Sequence, residues 1–158
     1  MQGDQRIIDL LNQVLRKELT GINQYFIHSR MCKNWGYAVL AKVSNTEALE
    51  EMKHADKLIE RILFLEGTPN LSDYDRILVG AAVKQQIEND LALEMGALAV
   101  LRPGIALCLE KHDHATRELL EHILEDEERH VDWLEAQRHK IQEVGYEAYL
   151  AEQIYERS

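Results

Sequence analysis

The sequence predicts an all-α protein: a bundle of four long helices with a long crossover between helices 2 and 3 and a short C-terminal fifth helix. Two observations predict this fold class. Apolar residues recur at three- and four-residue steps over four long stretches, which is the period of one helix face. Turn residues such as glycine, asparagine and proline separate the stretches. A chain of 158 residues is long enough for one well-buried core and too short for two ordinary domains, so residues 1–158 are expected to form a single domain.

The first predicted hairpin lies in the N-terminal half of the chain. Its first helix runs from about residue 4 to residue 34 and stops at Asn34-Trp35-Gly36, and its second runs from about residue 37 to residue 66. Gly67-Thr68-Pro69-Asn70 ends the second helix, and residues 67–81 lack a helical period. Helices of roughly 28 residues are about 40 Å long. The connection is therefore expected to cross the whole length of the bundle.

The second predicted hairpin lies in the C-terminal half. Its helices run from about residue 82 to residue 111 and from about residue 114 to residue 144, with a short break at His112-Asp113. Pro103 lies inside the third helix, where proline removes a backbone donor and crowds the preceding turn, so a kink or a local bulge is expected there. Residues 146–155 are predicted to form the short fifth helix.

The composition favours a protein that attracts cations. The net charge is −10, with 18 Lys and Arg against 28 Asp and Glu, which disfavours nonspecific binding to nucleic acid or to anionic membranes. The N-terminus turns polar at once and no apolar run reaches about 18 residues, so neither a signal peptide nor a membrane span is expected. Cys32 and Cys108 lack the spacing of zinc or redox sites and are interpreted as buried thiols, with the reducing cytoplasm as the expected location.

Two Glu-x-x-His motifs and two single glutamates repeat at one interval. Glu94 follows Glu18 by 76 residues, and Glu127 follows Glu51 by the same 76 residues. Glutamate and histidine three residues apart project from one helix face, so both can bind one ion. The duplicated set predicts a site for two metal ions, with iron or manganese favoured over metals that prefer thiolate. The six candidate ligands are Glu18, Glu51, His54, Glu94, Glu127 and His130.

All six candidates lie in or beside the apolar stripes of their helices and are expected to face the core. Glu94, for example, lies between Leu91 and Leu98 in the stripe of the third helix. A single buried glutamate could instead pair with a lysine or an arginine, but four are too costly to bury without a compensating charge. Bundles that hold two iron or manganese ions use the same arrangement. We expect Glu51 and Glu127 to bridge the ions, with Glu18 and His54 at one end and Glu94 and His130 at the other.

Two acidic residues precede the bridging glutamates at the same offset. We hypothesise that Asp126 accepts the free ring N–H of His54 and that Glu50 accepts that of His130, which would fix both tautomers. A solvated acidic surface is the alternative interpretation of these two residues.

Tyr25 makes the two half-sites unequal, because the offset places Leu101 at the equivalent position. A tyrosine beside a redox site could donate a hydrogen bond to a ligand carboxylate or supply an electron, so Tyr25 is counted among the catalytic candidates. As a plain core aromatic residue it would need neither role.

Three stretches of the chain closely resemble bacterioferritins: residues 22–31, residues 50–67 and residues 144–150. The resemblance covers essentially the whole chain, and every ligand of the family's ferroxidase centre has a counterpart among the six candidates. It implies a ferritin-like four-helix bundle that assembles into a hollow shell of twenty-four subunits, alone or with a second subunit type. It also implies two non-haem iron ions per subunit, oxidation of Fe(II) by dioxygen or peroxide, and a ferric mineral stored inside the shell.

The resemblance further implies a haem b shared between two subunits. Met52 matches the axial ligand, one from each subunit. Because it directly follows an inward-facing glutamate, its thioether is expected to leave the core toward a neighbour; ordinary interface packing is the alternative. A small iron–sulfur ferredoxin is implied as the partner for iron release. The residues that match the haem pocket are Leu19, Ile22, Asn23 and Phe26.

The chain departs from the family pattern at Asn45 and Thr46, where many relatives carry a tyrosine near the haem and a histidine of an inner-surface iron site. Three alternatives to a ferroxidase stay open. A haem-binding or structural shell subunit of a mixed assembly would have little ferroxidase activity. A rubrerythrin-like peroxidase would need a four-cysteine site, and the chain has two cysteines. A helical interaction module would need no buried carboxylates.

Overall fold

The structure, a computed structural model, describes residues 1–156. The predicted all-α fold class is confirmed, and the bounds of the four long helices lie within two residues of the predicted ones. Over the described residues the regular elements are α1 (Gln5–Trp35), α2 (Ala38–Phe64), α3 (Val83–Glu110), α4 (His114–Val144) and α5 (Tyr146–Ala151).

The four long helices pack as two hairpins. α1 packs against α2 and α3 against α4, and the contact of α1 with α3 joins the hairpins into a bundle. Asp4 begins α1 by accepting the backbone N–H of Arg6 at 2.8 Å, and Asp113 begins α4 by accepting that of Thr116 at 3.1 Å. α1 ends at Gly36, whose φ of 87° is in the left-handed region that glycine adopts without steric cost.

The crossover between α2 and α3 is held along its length by side chains of α1. Four of them, at intervals of eight, four and four residues, accept backbone N–H groups of the crossover. Two of the four, Gln24 and His28, are fully buried and also contact Asp90 of α3, each at 2.9 Å. The crossover is thus tied to both hairpins. The pairs are Asn12 with Asn70 at 2.8 Å, Thr20 with Asp75 at 3.0 Å, Gln24 with Leu78 at 3.1 Å, and His28 with Gly80 at 3.0 Å.

Two apolar clusters fill the two ends of the bundle. A layer of buried polar side chains from all four long helices lies between them. Apolar packing therefore closes this polar layer at both ends. One cluster includes Leu11, Leu15, Leu58, Ile62, Leu101, Leu120 and Ile123, and the other includes Leu40, Val83, Ile87, Leu134, Ile141 and Tyr149.

α3 is the most apolar of the long helices and runs through Pro103 without interruption. By length and composition alone it could cross a membrane, a test that the core helix of a soluble protein also passes. In this structure α3 packs against α1 and α4 and carries the buried polar residues Asp90 and Glu94. Gly104 allows the close approach to α1, because a Cβ there would lie 2.6 Å from Cδ1 of Leu10. The kink expected at Pro103 stays a prediction.

The fifth helix is shorter than predicted, since it ends at Ala151 rather than near Tyr155. The N–H of Gln153 bonds to the carbonyl of Leu150 at 3.0 Å, three residues back, which closes the helix in a tight turn. The carbonyl of Gln153 accepts the N–H of Val39 at 3.0 Å. The chain is therefore tied to the start of α2 instead of forming another helical turn.

Candidate metal centre

The six candidate ligands lie together in the polar layer of the bundle. α1 and α3 contribute one glutamate each, and α2 and α4 contribute one Glu-x-x-His motif each. None of the six is more than 5% exposed. The inward orientation predicted from the helical stripes is therefore present for the whole set: Glu18, Glu51, His54, Glu94, Glu127 and His130.

The six side chains form two overlapping groups that could each hold a metal ion. In each group one ligand atom per residue lies within 4.8 Å of all the others. Glu51 and Glu127 belong to both groups, which is the arrangement that bridging carboxylates require. The first group is Glu18, Glu51, His54 and Glu127, and the second is Glu51, Glu94, Glu127 and His130.

The Nδ1 atoms of both histidines face these carboxylates. Nδ1 of His54 lies 3.4 Å from Oε2 of Glu18 and 3.3 Å from Oε1 of Glu127. Nδ1 of His130 lies 3.4 Å from Oε1 of Glu51 and 3.5 Å from Oε1 of Glu94. Each imidazole therefore presents the same nitrogen to the centre.

Several polar atoms of the centre are buried without a hydrogen-bond partner. They are one carboxylate oxygen each of Glu18, Glu51, Glu94 and Glu127, together with Nδ1 of His130. Unpaired buried polar atoms are costly and therefore rare. Metal ions would satisfy this set of oxygen and nitrogen donors, so the residues present fit a pair of first-row divalent ions.

Both cross-site hydrogen bonds expected from the duplication are present. Nε2 of His54 lies 2.8 Å from Oδ2 of Asp126, and Nε2 of His130 lies 3.1 Å from Oε2 of Glu50. Because a carboxylate can only accept, Nε2 of each ring carries a proton, which leaves Nδ1 as the nitrogen that a metal ion in the centre would bind. These partners fix the ring orientation and make each imidazole a stronger base.

Glu47 is a further partner of His130 that was not predicted from the sequence. Its Oε2 contacts Nε2 of His130 beside Glu50, so this histidine faces two carboxylates where His54 faces one. Glu47 lies four residues before Glu51 and therefore on the same face of α2, a spacing that could have indicated it.

Tyr25 reaches the centre from α1. It is 2% exposed, and its hydroxyl donates a 2.6 Å hydrogen bond to Oε1 of Glu94. Its ring also meets that of His130 edge-on, with 6.4 Å between the ring centres. The equivalent residue of the other half-site, Leu101, is a fully buried member of an apolar cluster. The two halves therefore differ in hydrogen bonding as well as in sequence.

The electrostatics of the centre require a compensating positive charge. Burial, and then the charges of Glu51 and Glu94, raise the pKa of Glu127 well above its ordinary value. Burial and the charge of Glu51 likewise raise the pKa of Glu94. Burial opposes the ionisation of Glu51 too, but hydrogen bonds with His130 and His54 outweigh it and lower its pKa. The four carboxylates cannot all ionise at neutral pH without cations.

The residues matched to a haem pocket lie elsewhere, on the outer face of the α1–α2 hairpin. Met52 is 53% exposed and Phe26 is 49% exposed. Leu19 and Ile22 are half-buried and Asn23 is exposed. The thioether of Met52 thus points away from the core, as predicted, while its neighbour in sequence points into the centre.

Two differences from the family pattern also lie outside the centre. Thr46 is exposed and lines a groove between α2 and α4 together with His122 and Asp126. Asn45 is half-buried on α2. Neither residue belongs to the two ligand groups.

Comparison with known proteins agrees with this arrangement. Residues 8–144 match a family model described as a ferritin-like domain. The chain is 45% identical over 152 residues to the bacterioferritin of Mycobacterium leprae (strain TN) and to bacterioferritin BfrA of Mycobacterium tuberculosis (strain ATCC 25618 / H37Rv), covering 96% of each chain. It is 44% identical over 149 residues to the bacterioferritin of Rhodobacter capsulatus, covering 94% of this chain and 92% of the relative. Fold, ligand arrangement and similarity together show that the chain belongs to the bacterioferritin family of ferritin-like proteins.

Proposed function

We propose that this protein stores iron and is a ferroxidase, which oxidises Fe(II) at the candidate metal centre so that ferric mineral is deposited inside a hollow shell. One observation carries the proposal: two ligand groups share Glu51 and Glu127, and each has a histidine Nδ1 facing inward. A structural bundle would have no need to bury four carboxylates with unpaired oxygens.

The proposed centre holds two iron ions per subunit. Glu51 and Glu127 would bridge them, and the terminal ligands would be Glu18 and His54 for one ion and Glu94 and His130 for the other. Bound there, the pair supplies the redox chemistry: two Fe(II) lose one electron each, and dioxygen takes up both electrons with two protons to give hydrogen peroxide, or peroxide is reduced to water.

The protein's own groups prepare the site for this substrate. The carboxylates attract Fe(II) and, as they lose their protons to bind it, replace its water ligands. Asp126 and Glu50 hold the two imidazoles in the orientation in which Nδ1 faces the ions. Tyr25 holds the terminal carboxylate of Glu94. The apolar clusters at both ends keep bulk water away.

The rest of the proposed function follows from family membership. We propose a shell of twenty-four subunits, formed by this chain alone or with a second subunit type. A haem b would lie between two subunits with Met52 of each as an axial ligand, a role that its exposure on α2 supports. A small iron–sulfur ferredoxin would deliver electrons for iron release. The proposed location is the cytoplasm, and both cysteines are buried free thiols, which suits reducing conditions.

Aerobic addition of Fe(II) tests the ferroxidase proposal. The parent protein, given two Fe(II) per subunit, should show a fast rise in ferric absorbance, and larger additions should give mineral-filled particles. Glu94→Ala should slow the fast phase at least about tenfold, since it removes a terminal ligand and the partner of Tyr25. Glu110→Ala, on the exposed end of the same helix, is the matched control.

The outcome separates the two candidate functions. Equal fast rates in the parent and in Glu94→Ala would contradict the site assignment. A parent that assembles a shell and binds haem without fast oxidation would support the alternative, a haem-binding or structural shell subunit of a mixed assembly.

A further inference from the structure

One arginine contacts both carboxylates that hold the candidate histidine ligands. Nη2 of Arg129, on α4, lies 3.3 Å from Oε1 of Glu50 and contacts Oδ1 of Asp126. The second oxygen of each carboxylate receives a histidine: Oε2 of Glu50 faces His130 and Oδ2 of Asp126 faces His54. A single guanidinium thus connects both halves of the centre from outside.

We propose that Arg129 is a positioning residue for the metal centre: it holds Glu50 and Asp126 where they accept the Nε2–H groups of the two histidines. The proposal rests on the metal-binding function proposed above and adds to it a residue on the surface of the bundle. Within the part of the chain that the structure describes, the hydrogen bonds of the Arg129 side chain go to Glu50 and Asp126, so it acts on the histidines through these two carboxylates.

Glu50 and Asp126 need such a partner because they lie close together at the edge of the solvent. One oxygen of each lies within 4.8 Å of the other and of a ring nitrogen of His54. Their side chains are 22% and 13% exposed, so either carboxylate could turn outward to water. α2 and α4, which carry them, have few close backbone approaches, so side chains make most of the contacts between these helices. Arg129 counters their mutual repulsion and links the two helices at this point.

Removing Arg129 has two opposite effects on metal affinity, and their relative sizes decide whether the affinity rises or falls. Loss of a positive charge favours a bound cation, but only weakly, because the Arg129 side chain is 61% exposed and solvent screens its charge. Complete loss of a histidine's outer partner costs about 10- to 100-fold in metal affinity. Arg129 restrains the outer partners Glu50 and Asp126 but is not itself a partner of the histidines. We therefore expect a smaller net loss of metal affinity, about 3- to 10-fold.

The two halves of the centre should not respond equally. His130 keeps a second acceptor in Glu47 when Glu50 is released. The Nε2–H of His54 is accepted by Asp126, and His122 lies farther from this carboxylate, with its Nε2 3.7 Å from Oδ2. The ion bound on the His54 side should therefore be weakened more than the ion on the His130 side.

Titration with Co(II) tests the proposal without depending on iron oxidation. Binding is followed by the visible d–d absorption of Co(II), which reports its ligand geometry. Arg129→Gln removes both donors to the carboxylates, and Arg129→Lys keeps the charge but not the planar fork. Arg102→Gln is the matched control, since Arg102 is similarly exposed at 57% against 61% and makes one surface pair, to Glu128 at 3.4 Å.

The expected result is about 3- to 10-fold weaker binding and an altered absorption band in Arg129→Gln, with Arg129→Lys in between and Arg102→Gln equal to the parent. In a Glu50→Gln/Asp126→Asn background, Arg129→Gln should have no further effect, because its partners are gone. Circular dichroism should show unchanged helix content and an unfolding temperature close to that of the parent.

Several results would overturn the proposal. Unchanged or tighter Co(II) binding in Arg129→Gln would leave the arginine as a surface charge only. An equal loss in Arg102→Gln, or a full further loss in the Glu50→Gln/Asp126→Asn background, would show an effect not transmitted through Glu50 and Asp126. A parent that binds no Co(II) would refute the metal centre itself. If the parent binds two Co(II) per subunit and Glu94→Ala does not, the metal centre stands, and an unchanged affinity in Arg129→Gln would then refute only the role of Arg129.

Discussion

The hydroxyl of Tyr25 donates a 2.6 Å hydrogen bond to Oε1 of Glu94, so that a phenol on α1 holds a candidate ligand carboxylate on α3. The bond is buried, and the Glu94 oxygen it leaves free has no other partner. Burial and the charge of Glu94 raise the pKa of Tyr25 well above its ordinary value, so the phenol keeps its proton and remains a donor. The neutral phenol of Tyr25 therefore restrains the Glu94 carboxylate by hydrogen bonding.

Tyr25→Phe should slow Fe(II) oxidation by roughly 3- to 30-fold, because a hydrogen bond to a charged group is worth about 1.5–3 kcal/mol, part of which metal binding recovers. Stopped-flow ferric absorbance measures the change. Tyr149→Phe is the matched control: Tyr149 is also buried and donates a 2.8 Å hydrogen bond, to Gln137, away from the centre. Similar rates in both variants would show that the hydrogen bond to Glu94 is unimportant for oxidation.

The metal-free protein should lose stability as the pH rises, because of Glu127. A raised folded-state pKa means that the folded chain binds this proton more tightly than the unfolded chain. The stabilisation is complete below the ordinary value of 4.5 and is lost as the pH rises through the raised pKa. The raised pKa of His54 acts in the same direction, while the lowered pKa of Glu51 matters only on the acid side.

Glu127→Gln keeps the shape of the side chain without its charge and should reduce this pH dependence. At about pH 8 the metal-free variant should be more stable than the parent by roughly 1–3 kcal/mol, since the glutamine avoids the cost of either burying a charge or taking up a proton at that pH. Thermal unfolding of both proteins between about pH 5 and pH 8 measures this difference in stability and its pH dependence. Added Co(II) should reverse the order, and Glu125→Gln, an exposed neighbour, should follow the parent. A variant with the parent's pH dependence would contradict the account.

Gly21 on α1 leaves space for a bridging glutamate. A Cβ at this position would lie 3.3 Å from Cγ and 3.4 Å from Cδ of Glu51, tighter than ordinary contact at the nearer atom. Gly21→Ala should therefore move Glu51 by a few tenths of an ångström and weaken Co(II) binding by about 3- to 10-fold, although alanine in a helix is favoured by about 0.5–1 kcal/mol. Gly96→Ala meets only Nζ of Lys17 at 3.6 Å, so it should bind Co(II) normally. Equal affinities in both variants would exclude this steric role.

Met52→Leu should abolish haem binding while leaving Fe(II) oxidation at the centre intact. Leucine keeps the apolar volume of the side chain but removes the sulfur that would ligate the haem iron. The Soret absorbance of protein loaded with haem measures the loss. Met95→Leu is the control, since Met95 on α3 is similarly exposed, at 49% against 53%. Full Soret absorbance in Met52→Leu would assign the ligand elsewhere.

The fold and the six candidate ligands could be predicted because both depend on regular spacings along the sequence. Apolar steps of three and four residues define helices locally, and the 76-residue repeat relates residues that must meet in a bundle. The position of Met52 outside the core followed from the angle between consecutive helical residues. The end of α5 was misjudged because a contact distant in sequence, between Gln153 and Val39, terminates it.

The sequence by itself determined the elements, the six candidate ligands and the pairing of Asp126 and Glu50 with opposite histidines, since each depends on helical periodicity and internal repetition. Only the tertiary structure decided that Tyr25 bonds to Glu94, that Glu47 joins Glu50 on His130, and that Arg129 bridges two helices. These contacts depend on the axial register and rotation of one helix against another. That register is decided by packing of the whole core, which no local pattern specifies.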